Sequence, residues 1–159
     1  MGKVIKLHAK AKGPEGLGLP KQLVQTATVT KEGLQGDYNY YRTEHLDSTP
    51  DQALLIITMD KIQELNNEGW MIKPGDIGEN LTIEGMAYDE FEPGSIFRVG
   101  EVEFQISYAC DPCKNLYHLS YVGETKGPEF VKTMMHRRGW YARVLKEGRI
   151  TIGVELTKL

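Results

Sequence analysis

The chain has 159 residues, 40% of them hydrophobic, and its 19 Lys and Arg against 22 Asp and Glu give a formal charge of −3. That length predicts a single domain over 1–159 with a core large enough to fold without a metal or disulfide, and the balanced charge excludes a disordered chain. The longest apolar run, Ala53-Leu54-Leu55-Ile56-Ile57, is far short of the ~20 residues a membrane helix needs. The alternating N-terminus lacks the apolar core of a signal peptide, and the mildly acidic chain lacks a nucleic-acid footprint. The expectation is a cytoplasmic protein with neither a membrane nor a nucleic-acid partner.

Seventeen glycines and seven prolines predict many tight turns and therefore a strand-rich fold. Val4, Ile5 and Leu7 read as the first strand, followed by the Gly- and Pro-rich loop Gly13 to Lys21. Val24 to Val29 is β-branched and alternating, which predicts a strand. Lys31 to Gln52 reads as one long irregular segment, and segments of that kind often carry function. Ala53 to Thr58 has the continuous apolar pattern of a buried strand. A short helix is expected from Asp60, with Gly69 as its stop. Leu81-Thr82-Ile83 and the alternating Val102 to Tyr108 follow as strands. Further helices are predicted over Pro112 to Tyr121 and from Pro128 to Gly139. The end reads as a hairpin of Trp140 to Leu145 and Ile150 to Leu156 around Lys146-Glu147-Gly148-Arg149. Six or more strands with about three short helices predict a mainly β fold with α decoration, a closed or nearly closed β-barrel.

The two cysteines of the chain stand together in Cys110-Asp111-Pro112-Cys113. With Asp111 as N-cap and Pro112 in the first helical position, Cys113 falls at the second. There a thiolate would face free backbone amides and the positive end of a helix dipole, both of which favour the anion that attacks sulfur and binds metals. Structural zinc would need four ligands, and no second cysteine pair exists. A thioredoxin-like pair would expect an early βαβ pattern, absent here. Three readings remain: two inert buried thiols, a thiol–disulfide pair, or a single nucleophilic or metal-ligating Cys113.

Other polar groups carry weaker signals. Gly16 to Lys21 fits neither the P-loop nor the dinucleotide pattern, although Lys21 could meet an anion as a point charge. Gly36-Asp37 and Gly78-Glu79-Asn80 are ordinary turn chemistry by residue type. His136-Arg137-Arg138 suits the end of a helix without any ligand. Arg143, inside an apolar strand, either points outward or holds a carboxylate or phosphate.

Six segments in order, Gly18-Leu19-Pro20-Lys21, Gly33 to Asp37, Pro74 to Leu81, Phe97 to Gly100, Pro112 to Leu116 and Arg138 to Leu145, resemble the MOSC family, named for the C-terminal domain of molybdenum-cofactor sulfurase. The resemblance implies a small stand-alone member with a β-barrel of mixed topology. It places the family's cysteine at Cys113, as a persulfide-bearing sulfur carrier, a molybdenum ligand, or both. It makes Lys21, Asp37, Glu79, Asn80 and Arg143 the candidates for binding molybdenum cofactor (molybdopterin), and a pterin cofactor or a sulfur donor or acceptor protein the expected partner. The implied activity is sulfur transfer or cofactor-dependent redox chemistry. Cys110 lies outside the family pattern, so a Cys110–Cys113 thiol–disulfide couple and a non-catalytic binding module stand as alternatives.

Overall fold

The computed structural model describes residues 1–13 and 19–159. In chain order its strands are β1 (Gly2–Ala9), β2 (Gln22–Val24), β3 (Thr26–Thr30), β4 (Gly33–Leu34), β5 (Leu54–Thr58), β6 (Leu81–Glu84), β7 (Ile96–Val99), β8 (Val102–Ala109), β9 (Trp140–Lys146), β10 (Gly148–Thr151) and β11 (Glu155–Lys158). Its α-helices are α1 (Tyr40–His45), α2 (Met59–Asn67) and α3 (Gly123–Met134).

Seven strands form a closed ring in the spatial order β11, β7, β8, β9, β5, β6, β1, sealed by pairing of β1 with β11 through Gly2↔Leu156 and Lys3↔Glu155. Every pair in the ring is antiparallel except β5–β6, so the barrel is mixed. β2 pairs with the far end of β1, and β10, β3 and β4 form a separate small sheet. Closure leaves the ring without an unpaired edge.

Side-chain alternation explains the two cores. Inward-facing residues such as Val4, Leu7, Ile56, Leu81, Phe97 and Phe104 fill the barrel. A second cluster, including Ile57, Ile62, Leu65, Ile77, Phe130 and Met134, packs α2 and α3 against the outside. β5 is buried along its whole length, which is why its sequence reads as an unbroken apolar run instead of an alternation.

Several expected elements differ. The single strand over Val24 to Val29 is divided at Gln25 into β2 and β3. The long loop contains β4, α1 and a 3-10 turn at Pro50–Gln52. Pro112 to Tyr121 is not an α-helix; its ordered part is a 3-10 turn over Lys114–His118. α3 begins at Gly123, five residues ahead of Pro128, which sits inside it and removes one intrahelical donor. The terminal hairpin does not form: β10 pairs with β3 and β11 with β1 and β7. Ile150 thereby reaches the same core as Val29, a long-range gain that local turn chemistry does not register. Gly16-Leu17-Gly18 in the first loop lies outside the described residues.

Among the described residues, no helix is long and apolar enough to cross a membrane.

Candidate functional site

The site lies where the β8–β9 ladder ends. The register of that pair shifts between Ile106 and Ala109, and Ala109 faces Trp140 as the last partner. Irregular pairing of this kind commonly borders active sites. The Cys110 N–H donates to Gly139 O at 2.9 Å, so residues 110–113 leaving β8 run beside residues 138–139 entering β9. Gly139 has φ +111°, and a Cβ there would stand 2.6 Å from Ile56 O. Only glycine lets the chain turn into β9 this close to β5.

That turn places the Arg138 side chain against Cys113. Arg138 is 6% exposed. Its Nε and Nη2 donate to Ile77 O at 3.3 and 3.1 Å, and its Nη1 donates to Asp111 O at 3.2 Å and to Cys113 Sγ at 3.5 Å. Burial works against the charge, but the acidic groups around it, led by Cys110, Tyr141 and Cys113, hold the Arg138 pKa above its usual value. Cys113 itself has extended backbone (φ −143°, ψ 174°) and caps the 3-10 turn. The expectation of a thiol at the second position of an α-helix therefore does not hold: the cation at its side is a guanidinium instead of a helix dipole. By residue type Arg138 needs no ligand; the sequence signal for its placement is the glycine at 139, which turns the preceding side chain inward.

Cys113 and Arg138 line an open cavity of about 280 Å³, walled also by Lys21, Asn39, Tyr40, Tyr41, Gln52 and Asn115. Cys110 is 1% exposed and packs with Leu55 and Tyr141; burial pushes its thiol pKa up, with Arg138 opposing. Both cysteines are free thiols.

The remaining candidates divide. Lys21 lines the cavity, and its ammonium donates to Asp37 Oδ1 at 2.6 Å and to Tyr38 O at 3.1 Å. Asp37 also accepts from the Lys10 N–H at 2.9 Å and from Asn80 Nδ2 at 2.8 Å, while Asn80 Oδ1 accepts from the Leu55 N–H at 3.0 Å. Burial lowers the Lys21 pKa, against the pull of Asp37. Lys21, Asp37 and Asn80 are thus brought together as one buried network, but Asp37, Glu79 and Asn80 stand behind the cavity and do not line it. Glu79 is wholly buried; its Oε1 accepts the Gly75 N–H and its Oε2 has no partner among the described residues. Desolvation pushes its carboxyl up to about 7. Arg143 is not brought to this site. It points outward and donates from Nε to Asp51 Oδ1 at 2.8 Å, the outward alternative for a charged residue on an alternating strand.

Among the described residues there is no cluster of three or more His, Cys, Asp or Glu side chains that could hold a metal, so protein ligation rests on one soft thiol. That suits a metal whose other ligands arrive with its cofactor. Gln52, in the cavity wall, is buried, with Nε2 bonded to Tyr108 OH at 3.0 Å and Oε1 unpartnered among the described residues, which leaves a buried acceptor unsatisfied beside the cavity. These features fit a molybdenum–pterin group.

A family model for the MOSC domain matches residues 40–157. The chain is 28% identical over 147 residues to the uncharacterized protein YflK of Bacillus subtilis (strain 168), covering 89% of this chain and 63% of that protein. It is 26% identical over 132 residues to protein YiiM of Escherichia coli (strain K12), covering 80% and 57%. The chain therefore spans less than two thirds of the length of these curated relatives. Among solved structures, YiiM from Geobacillus stearothermophilus superposes with a TM-score of 0.74 at 24% identity, covering all of this chain and 75% of that one. The YUAD protein from Bacillus subtilis gives 0.77 at 16%, covering 98% and 94%. At these identities the structural likenesses speak to the fold. The family match, carried on the same closed mixed barrel, shows that the chain belongs to the MOSC domain family, which is associated with molybdenum-cofactor-related sulfur binding.

Proposed function

We propose that Cys113 is the working group of this protein, carrying sulfur as a persulfide or ligating the molybdenum of a bound molybdopterin-type cofactor. The observation that carries this reading is a cysteine sulfur lining an open cavity with a buried guanidinium N–H 3.5 Å away. In the sulfur-carrier role, the Cys113 thiolate attacks the outer sulfur of a donor persulfide, R–S–SH. A Cys113 Sγ–S bond forms, the donor S–S bond breaks, and RS⁻ leaves with the electron pair. Arg138 is placed to donate to the anionic sulfur before and after transfer.

In the cofactor-bound role, the molybdenum group supplies redox chemistry at a metal already held by dithiolene sulfur. This chain contributes the soft Cys113 ligand, the Arg138 charge, and hydrogen-bonding side chains at Gln52, Asn39 and Asn115. Lys21 fixes the wall through Asp37. A thiol–disulfide couple is disfavoured by the burial of Cys110, which withholds it from an external oxidant or a mixed disulfide.

Mass spectrometry after exposure to a small persulfide donor, together with molybdenum analysis of protein made in cells with intact cofactor synthesis, tests the proposal. A gain of one sulfur mapped to Cys113, or stoichiometric molybdenum lost on Cys113→Ser, supports it. Protein free of both in both assays overturns it.

A further inference from the structure

We infer that Arg138 forms an anion subsite beside Cys113, so that the small molecule meeting this sulfur carries a negative charge. This rests on the reading that Cys113 is the working group, and it adds the charge class of what that group meets. Arg42, Arg98, Arg137 and Arg143 each have a carboxylate within 4.0 Å, and of these only Arg42 is buried like Arg138, while Arg149 is exposed to solvent. Arg138 has none in that range among the described residues.

A buried guanidinium cannot shed its proton, and an uncompensated buried charge is costly. Its partners are two backbone carbonyls and the Cys113 sulfur, which offsets the charge only while it is a thiolate. Nη2 carries two hydrogens, of which one is engaged with Ile77 O; the other is uncommitted. The second cation on the cavity wall does not compete for an anion, because Lys21 is neutralised by Asp37 at 2.6 Å. Asp111 gives Arg138 its backbone carbonyl, with its carboxylate outside ion-pair reach. Among the described residues Arg138 is therefore the cation of the cavity wall without a carboxylate in ion-pair reach, Asp111 being the one acidic side chain that shares the wall, and it adjoins the reactive sulfur.

The test compares alkylation of Cys113 in the native protein by iodoacetate and by iodoacetamide, mapped to the residue by fragment ions. Both reagents form an Sγ–C bond and expel iodide, so the ionised fraction of the thiol cancels from the ratio of their rates. The same protein unfolded in urea gives the reference ratio. The expected result is a native iodoacetate-to-iodoacetamide ratio about tenfold above that reference, the size of effect a focused charge has on encounter rates. It should be kept in Arg138→Lys and fall to the reference in Arg138→Gln.

A native ratio at or below the reference overturns the inference, as does a high ratio retained in a folded Arg138→Gln protein. Failure of both reagents to reach Cys113 overturns it too. The unfolded reference keeps the test decisive if Arg138→Gln does not fold. A high ratio in protein that takes up neither sulfur nor molybdenum would leave the subsite standing and remove the proposed function.

Discussion

Replacing Glu79 by Gln tests whether the segment behind the cavity is held by a carboxyl that is neutral in the folded state. Glu79 is completely buried, with one oxygen bonded to the Gly75 N–H and the other without a partner among the described residues. Desolvation, reinforced by nearby Asp76 and opposed by the Gly75 bond and Lys21, raises its pKa from 4.5 to about 7. The folded state therefore holds this proton more tightly than the unfolded chain. The stability this contributes is complete below the unfolded pKa and is lost as pH rises through about 7. Integrating the proton linkage gives a contribution of about 2.5 kcal/mol near pH ~5 and almost nothing near pH ~8. Glu79→Gln keeps the acceptor for Gly75 and cannot ionise, so it lacks this term. Urea unfolding of both proteins across this range should show wild type losing about 2.5 kcal/mol relative to the variant as pH rises. Titrations of groups that do not interact with Glu79 cancel in the difference. Parallel stability–pH profiles would refute a neutral buried carboxyl at this position.

Other expectations follow from the same geometry. Cys113→Ser should abolish persulfide formation and molybdenum loading, whereas Cys110→Ser should leave both, as read by intact-mass and metal analysis. Gly139→Ala puts a methyl 2.6 Å from Ile56 O at φ +111°, and should destabilise by at least about 2 kcal/mol, seen as a lower midpoint in thermal unfolding. Arg143→Ala removes a half-exposed pair with Asp51; it should change stability by less than about 1 kcal/mol and leave persulfide formation unaltered.

The barrel strands were legible because their periodicity is local. The alternation of Val102 to Tyr108 and the unbroken run into Thr58 both report burial directly, and β8 and β5 form there. What local patterns could not report is pairing at a distance. Ile150 to Leu156 reads as the return strand of a hairpin, yet Gly148 to Thr151 pairs with Thr26 to Val29, more than a hundred residues earlier. Cys113 stood out because thiols are rare in this sequence. Its cation did not, because an arginine after a helix is satisfied by so many ordinary roles that only the turn at Gly139 reveals where this one goes. Arg143 shows the converse: a charge on an alternating strand was simply on the solvent side.

The seal between β1 and β11 has a bearing on how the molecule comes into being. During vectorial synthesis β1 emerges before its ring partner β11 has been translated, so until then it offers open backbone donors and acceptors to any neighbouring chain. Cleavage removing either strand would unzip the ring at the seam and return the finished protein to that sticky, incomplete condition.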